Sequence, residues 1–157
     1  LGDADIDVAR THCVIGSILA MQGENDKALE SFNKALKIQE DLYGKKHQRI
    51  ADTVTEIGKV KMSQEKFDEA EKYHRRALQI REMILGKDHP DTAISYSYLG
   101  FVLSERGDKE GALVVLRLAL KIRTRALGKN HLLTSMCYAD IGSLMAENND
   151  LDDALKQ

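Results

Sequence analysis

The chain has 157 residues, 43% of them apolar and 31% charged, with 23 basic against 25 acidic side chains and a net charge of −2. This suits a soluble folded chain and argues against a broadly basic nucleic-acid binder. One proline, Pro90, and only 5% aromatics point to an all-α fold rather than a sandwich or barrel of strands. Shifting the chain by 42 residues aligns it with itself. Gly2, Gly44, Gly86 and Gly128 fall in register, as do Gly16, Gly58, Gly100 and Gly142, and then Ala28, Ala70, Ala112 and Ala154. Shorter columns join Ala35, Ala77 and Ala119, Ile38, Ile80 and Ile122, and His47, His89 and His131. The chain therefore reads as one array over 1–157, with repeats near 2–43, 44–85, 86–127 and a shortened 128–157.

Each unit carries two helical stripes. In the first, Val8, Ile15, Ile18 and Leu19 mark helix A over 6–22. Gln22 to Asp26 supplies turn and N-cap chemistry. Ala28, Leu29, Phe32, Ala35, Leu36 and Leu42 mark helix B over 25–43. The same reading places A helices at 48–64, 90–106 and 132–148, and B helices at 67–85, 109–127 and 151–157. Breaks are expected at 64–68, 106–110 and 148–152. Pro90 stands at a first helical turn, where it is tolerated. A glycine recurring in mid-helix A, where it costs ~1 kcal/mol against alanine, implies close approach of the helix B backbone. Ala28 and Ala35 would supply the surface without bulk.

Ile15-Gly16, Gly23, Ala28, Phe32 and Ala35 resemble the tetratricopeptide repeat, whose usual unit is 34 residues. The 42-residue period, the link Leu85-Gly86-Lys87-Asp88-His89-Pro90-Asp91-Thr92-Ala93 and the preceding Arg76-Ala77-Leu78-Gln79-Ile80-Arg81-Glu82 are similar to the kinesin-light-chain type. The resemblance covers the whole chain. It implies a tetratricopeptide-type α–α superhelix whose A helices line a concave face for a protein or peptide partner. Two departures stand out. The usual proline closing helix B is replaced by Glu40, Glu82 and Thr124, so the helix runs on. The asparagine pair that holds cargo peptide in kinesin light chains is replaced by Cys13-Val14, Thr55-Glu56, Ser97-Tyr98 and Ala139-Asp140.

No residue set points to catalysis. His47, His89 and His131 occur one per repeat, at least a helix spacing of ~8–10 Å apart, whereas zinc ligands share one ion at ~2 Å. They read as structural residues of the links, with no metal and no cofactor. The glycines never cluster into a phosphate loop. Asp152-Asp153 and the Glu69/Glu71 pair sit at polar helix starts, where they suit the dipole. Arg75-Arg76-Arg81 and Arg117-Lys121-Arg123-Arg125 read as solvated faces, and without interleaved aromatics no nucleic-acid partner is expected. The longest strictly apolar run, Ala112 to Leu116, is far short of the ~20 residues of a membrane span, and no leader pattern opens the chain. No membrane insertion is expected. Cys13 and Cys137 suit free thiols in a reducing, cytoplasmic setting, as small core or groove residues. Net charge by repeat runs −4, +3, +2 and −3; the basic middle either steers an acidic peptide or keeps the surface mixed and soluble.

On the resemblance, the inward residues of the A helices lie five, two and one before the Ile15 column and two and six after it. This gives Arg10, Cys13, Val14, Ser17 and Met21 in the first repeat. The second gives Asp52, Thr55, Glu56, Lys59 and Ser63, with Met62 beside them. The third gives Ile94, Ser97, Tyr98, Phe101 and Glu105, and the fourth Met136, Ala139, Asp140, Ser143 and Glu147. Ile94, Phe101 and Met136 would form an apolar strip for a peptide anchor, with Lys59 and Arg10 holding a carboxylate. Lys61 stands in the column of Leu19, Leu103 and Met145, and Glu71 in that of Leu29, Leu113 and Leu155. Lys61 is expected to snorkel along its stem and Glu71 to reach solvent, with an A–B charge pair as the other reading. The expected function is a non-catalytic scaffold or adaptor binding a peptide on the concave face, one version being a kinesin-light-chain-like cargo adaptor. The alternative is a regulatory, sensor or self-association arm of a larger signalling protein. The missing start methionine and the seven-residue last helix suggest a piece of a longer array, or self-association through that bare edge.

Overall fold

The computed structural model describes residues 3–154, and side chains over 5–147. Gly2 and Leu155–Gln157 lie outside the described residues, as do the side chains at Asp152-Asp153 and Ala154. The described chain is α-helical and contains no strand. It divides into two compact units, up to Ile84 and from Leu85. The first holds α1 (Asp3–Met21), α2 (Asn25–Tyr43), α3 (Gln48–Ser63) and α4 (Phe67–Leu85). The second holds α5 (Pro90–Glu105), α6 (Lys109–Leu127) and α7 (Leu132–Ala154). Through α6 these are the expected A and B helices, to within a few residues.

Both kinds of turn follow from local chemistry. Each A–B turn passes through one left-handed residue: Gly23 (φ +77°), Glu65 (φ +58°) and Gly107 (φ +85°). The next N–H then reaches back to an otherwise orphaned carbonyl, Glu24 to Leu19, Lys66 to Lys61 and Asp108 to Leu103, each at 2.9 Å. The B–A links leave the helix through Gly44, Gly86 and Gly128, all at positive φ. The histidine column then caps the following A helix. His47, His89 and His131 each accept the N–H two residues on through Nδ1, at 3.2, 3.1 and 3.2 Å. The links therefore use their histidines as structural caps. Pro90 is the first residue of α5, where no helical N–H is lost.

Packing in the first unit centres on Ala28, Leu29, Phe32, Leu36, Ile50, Val54, Ile57 and Val60. In the second, Ala93, Leu99, Val102, Leu116, Ala119, Ile122, Ile141 and Leu144 are buried. The glycines of α1, α3 and α5 are sockets for a side chain, not seats for backbone. A Cβ on Gly16 would meet the Phe32 ring at 2.8 Å, on Gly58 the His74 ring at 2.7 Å, and on Gly100 Leu116 at 2.6 Å. The expected backbone contact is thus corrected: a large B-helix residue fills the hole, and the alanines bring the helices close enough for it to reach.

Four further expectations change. Most of the α1 stripe is not core: Leu19 packs against the core, but Val8, Ile15 and Ile18 are 46%, 40% and 45% exposed. Their counterparts Ile50, Ile57 and Val60 in α3 are buried against the preceding helix α2, and no described helix precedes α1. The turn expected at 148–152 is absent, as α7 continues to Ala154; the left-handed position filled twice by glycine is here Asn149, within the helix. Arg81 and Arg123 are not on solvated faces but are 4% and 7% exposed. Glu71 does not reach solvent: it is largely buried and pairs with Arg75 at 2.6 Å. Lys61 is largely covered and joins Glu69 at 2.7 Å, so the A–B charge pair of this repeat uses a different glutamate.

Candidate functional site

Beneath the A helices, the B helices carry a buried polar column one period apart: Gln39, Arg81 and Arg123. Gln39 accepts from the Thr53 hydroxyl at 2.8 Å and donates to Cys13 Sγ at 3.6 Å. Arg81 donates to Thr55 Oγ1 at 3.2 Å and to Asp52 Oδ1 at 2.8 Å. Arg123 donates to the Leu133 carbonyl at 3.2 Å and lies 2.8 Å from Cys137 Sγ. Each long polar side chain satisfies the small polar groups above it, as a buried polar group requires. This accounts for several expected groove residues. Thr55 is buried, with its hydroxyl engaged by Arg81 and by the Ala51 carbonyl at 2.7 Å. Cys13 is half-buried and bonded to Thr53 and Gln39. The column two before Ile15 is thus turned toward the B helices in this unit, correcting its assignment to the groove wall.

Each unit contains a cleft between its two A helices. In the first unit it is lined by Ser17, Ala20 and Met21 of α1 and by Glu56, Lys59, Val60 and Ser63 of α3, with a volume of about 470 Å³. In the second, Phe101, Ser104 and Glu105 of α5 face Asp140, Ser143, Leu144 and Glu147 of α7, over a floor of Gly100 and Leu116, with about 240 Å³. These are the same seven columns, displaced by two repeats: Ser17 corresponds to Phe101, Met21 to Glu105, Lys59 to Ser143 and Ser63 to Glu147. Met21 is 80% and Phe101 54% exposed.

The clefts bring together Ser17, Met21 and Lys59 in one unit and Phe101 and Ser143 in the other. They do not include Arg10, Asp52, Met62, Ile94, Ser97, Tyr98, Met136 or Ala139. Arg10 is exposed and pairs with Asp7 at 3.2 Å, and Asp52 is held by Arg81. Met136 is 50% exposed, while Ile94 and Tyr98 are half-buried. Lys59 is not a free cation for a ligand carboxylate, because Glu56 holds it at 2.9 Å. Among the described residues, no three His, Cys, Asp or Glu side chains are placed to hold a metal ion. No described helix is long and apolar enough to cross a membrane.

Two family models of the tetratricopeptide repeat match the sequence, one over residues 49–125 and one over 9–42. This is a tetratricopeptide-repeat protein. Solved structures of repeat proteins share its fold. BtubC (BKLC) from P. vanneervenii superposes with a TM-score of 0.81 at 22% identity, over 94% of this chain and 59% of that one. A Podosopora anserina protein described as a kinesin light chain with nearly identical TPR-like repeats gives 0.80 at 16% identity, over 94% and 70%. The N-terminal domain of stress-induced protein-1 from C. elegans gives 0.67 at 14%, over 92% and 99%. This tetratricopeptide chain therefore spans about three fifths of the BtubC chain it resembles. No curated protein matches it significantly by sequence.

The tetratricopeptide repeat is a scaffold for protein–protein interaction, and these repeats belong to that class. Sequence reasoning missed two sets of residues in them. Ala20 and Ser104 line the clefts five places after the Ile15 column, and three after Ser17 and Phe101, so one helical turn along the same face would have found them. Gln39, Arg81 and Arg123 were visible as polar residues in register along an otherwise apolar B stripe.

Proposed function

We propose that this protein is a non-catalytic interaction module that captures a peptide segment of a partner protein in the clefts between its A helices. One observation supports this most: the same seven columns open a cleft in each unit, two repeats apart, and each cleft exposes a large apolar side chain, Met21 or Phe101. An exposed apolar group within a concave, partly polar wall is the usual form of a peptide anchor point. The departure from the asparagine pairs of kinesin light chains argues against transferring that family's cargo motif. The chain's ligand is then a segment chosen by its own cleft chemistry.

Selection of a random peptide library against the full chain tests the proposal. Enrichment of a common motif is expected, with capture lost when Met21 and Phe101 are both changed to Ser and the far-ultraviolet circular dichroism stays the same. No enrichment, or a motif captured equally by the double variant, would overturn it.

A further inference from the structure

The two clefts share their columns but not their charge. In the first unit the single carboxylate, Glu56, is neutralised by Lys59 across one helical turn. In the second, Lys59 is replaced by Ser143, and Met21 and Ser63 by Glu105 and Glu147, with Asp140 retained in the Glu56 column. The wall then carries three carboxylates and no basic residue. Lys109 reaches Glu147 from α6 at 3.4 Å. Glu105 and Asp140 have no ion-pair partner among the described residues, and both are exposed. The same cleft holds the half-exposed Phe101 ring, with Gly100 and Leu116. Repeat-wide charge conceals this, because Lys109 is the one basic residue of residues 86–127 that the described ion pairs bring to this wall, while Arg123, for example, is buried against α7.

We infer that the cleft between α5 and α7 takes a basic segment, with lysines or arginines flanking an apolar side chain that packs on Phe101. The inference rests on the peptide-capture reading above and adds the sign of the partner. Carboxylates on a concave wall raise the local concentration of cations and reject acidic sequences by like-charge repulsion. The Phe101 ring adds an apolar platform whose face also favours a cation. The first cleft, with its charges paired, would not discriminate in this way.

A fluorescence-anisotropy titration of the full chain uses three short synthetic peptides: a central leucine flanked by lysines, the same leucine flanked by glutamates, and the lysine peptide with serine at its centre. The lysine–leucine peptide should bind at least ~10-fold more tightly than the glutamate peptide, with an affinity that falls as salt rises. Serine at the centre should weaken it, as should Phe101→Ser. Joint Glu105→Gln and Asp140→Asn substitution should erase the preference for lysine; both residues are exposed, and circular dichroism checks that the variant is folded. Equal or tighter binding of the glutamate peptide, or a lysine preference unchanged in the double variant, would overturn the inference. If an acidic peptide binds and Phe101→Ser releases it, the sign is wrong while peptide capture stands. If no peptide binds, and library selection also returns nothing, both fall.

Discussion

His74 is an imidazole in a place its repeat-mates fill with hydrocarbon. Phe32 and Leu116 occupy the same column, plugging Gly16 and Gly100 as His74 plugs Gly58. Burial, with the positive charges of Arg81 and Lys59 nearby, lowers its pKa from 6.5 to about 4. The folded state thus keeps the ring neutral where the unfolded chain would take up a proton. Between pH 6.5 and about 4 the unfolded state binds more protons, so stability falls as pH falls through that window and is fully retained above it. The loss should be on the order of 2–3 kcal/mol. Urea denaturation of the wild type and of His74→Phe across this range should show the two curves diverging as pH drops, with the variant flatter. Parallel curves would contradict the burial of a neutral histidine here.

The helix pair is the unit of construction, and the glycine column sets how closely its members approach. Gly16 lies against Phe32, so Gly16→Ala should destabilise the chain by about 1–3 kcal/mol through overpacking. Gly142 stands in the same column of α7, where an added Cβ meets nothing within 4 Å. There alanine should bring only its helix-propensity gain, up to ~1 kcal/mol. Thermal unfolding of both variants measures this, and equal effects of the same sign would show that the socket is not what holds these glycines. At this scale much was legible in the sequence. The 42-residue period, the turn glycines and Pro90 placed α1 to α6 to within a few residues, because they act through local backbone geometry. Contacts between helices were not legible. Glycine spacing reveals a close approach but not whether backbone or ring fills it, and Arg81 and Arg123 read as surface residues until the small polar groups they serve were found above them. The continuous α7 was not legible either: asparagine suits the left-handed position better than glutamate, and Glu65 makes that turn in the second repeat.

Over the whole molecule, the proposed function depends on which A-helix columns line the clefts. Composition and net charge were uninformative here, since the net −2 hides a charge-paired cleft in one unit and a net acidic one in the other. The groove columns inferred from resemblance divide between the clefts and the helix interface. Those two and six places after Ile15 line the clefts, whereas Cys13 and Thr55 turn inward because Gln39 and Arg81 need partners. Peptide capture in the clefts is tested most directly by backbone amide chemical shifts of the full chain with and without a library-selected peptide. Perturbations should concentrate at Ser17, Met21, Lys59 and Ser63, at Phe101, Glu105, Asp140 and Ser143, or at both sets. Perturbations confined to the B helices α2, α4 and α6, with both clefts unmoved, would contradict it.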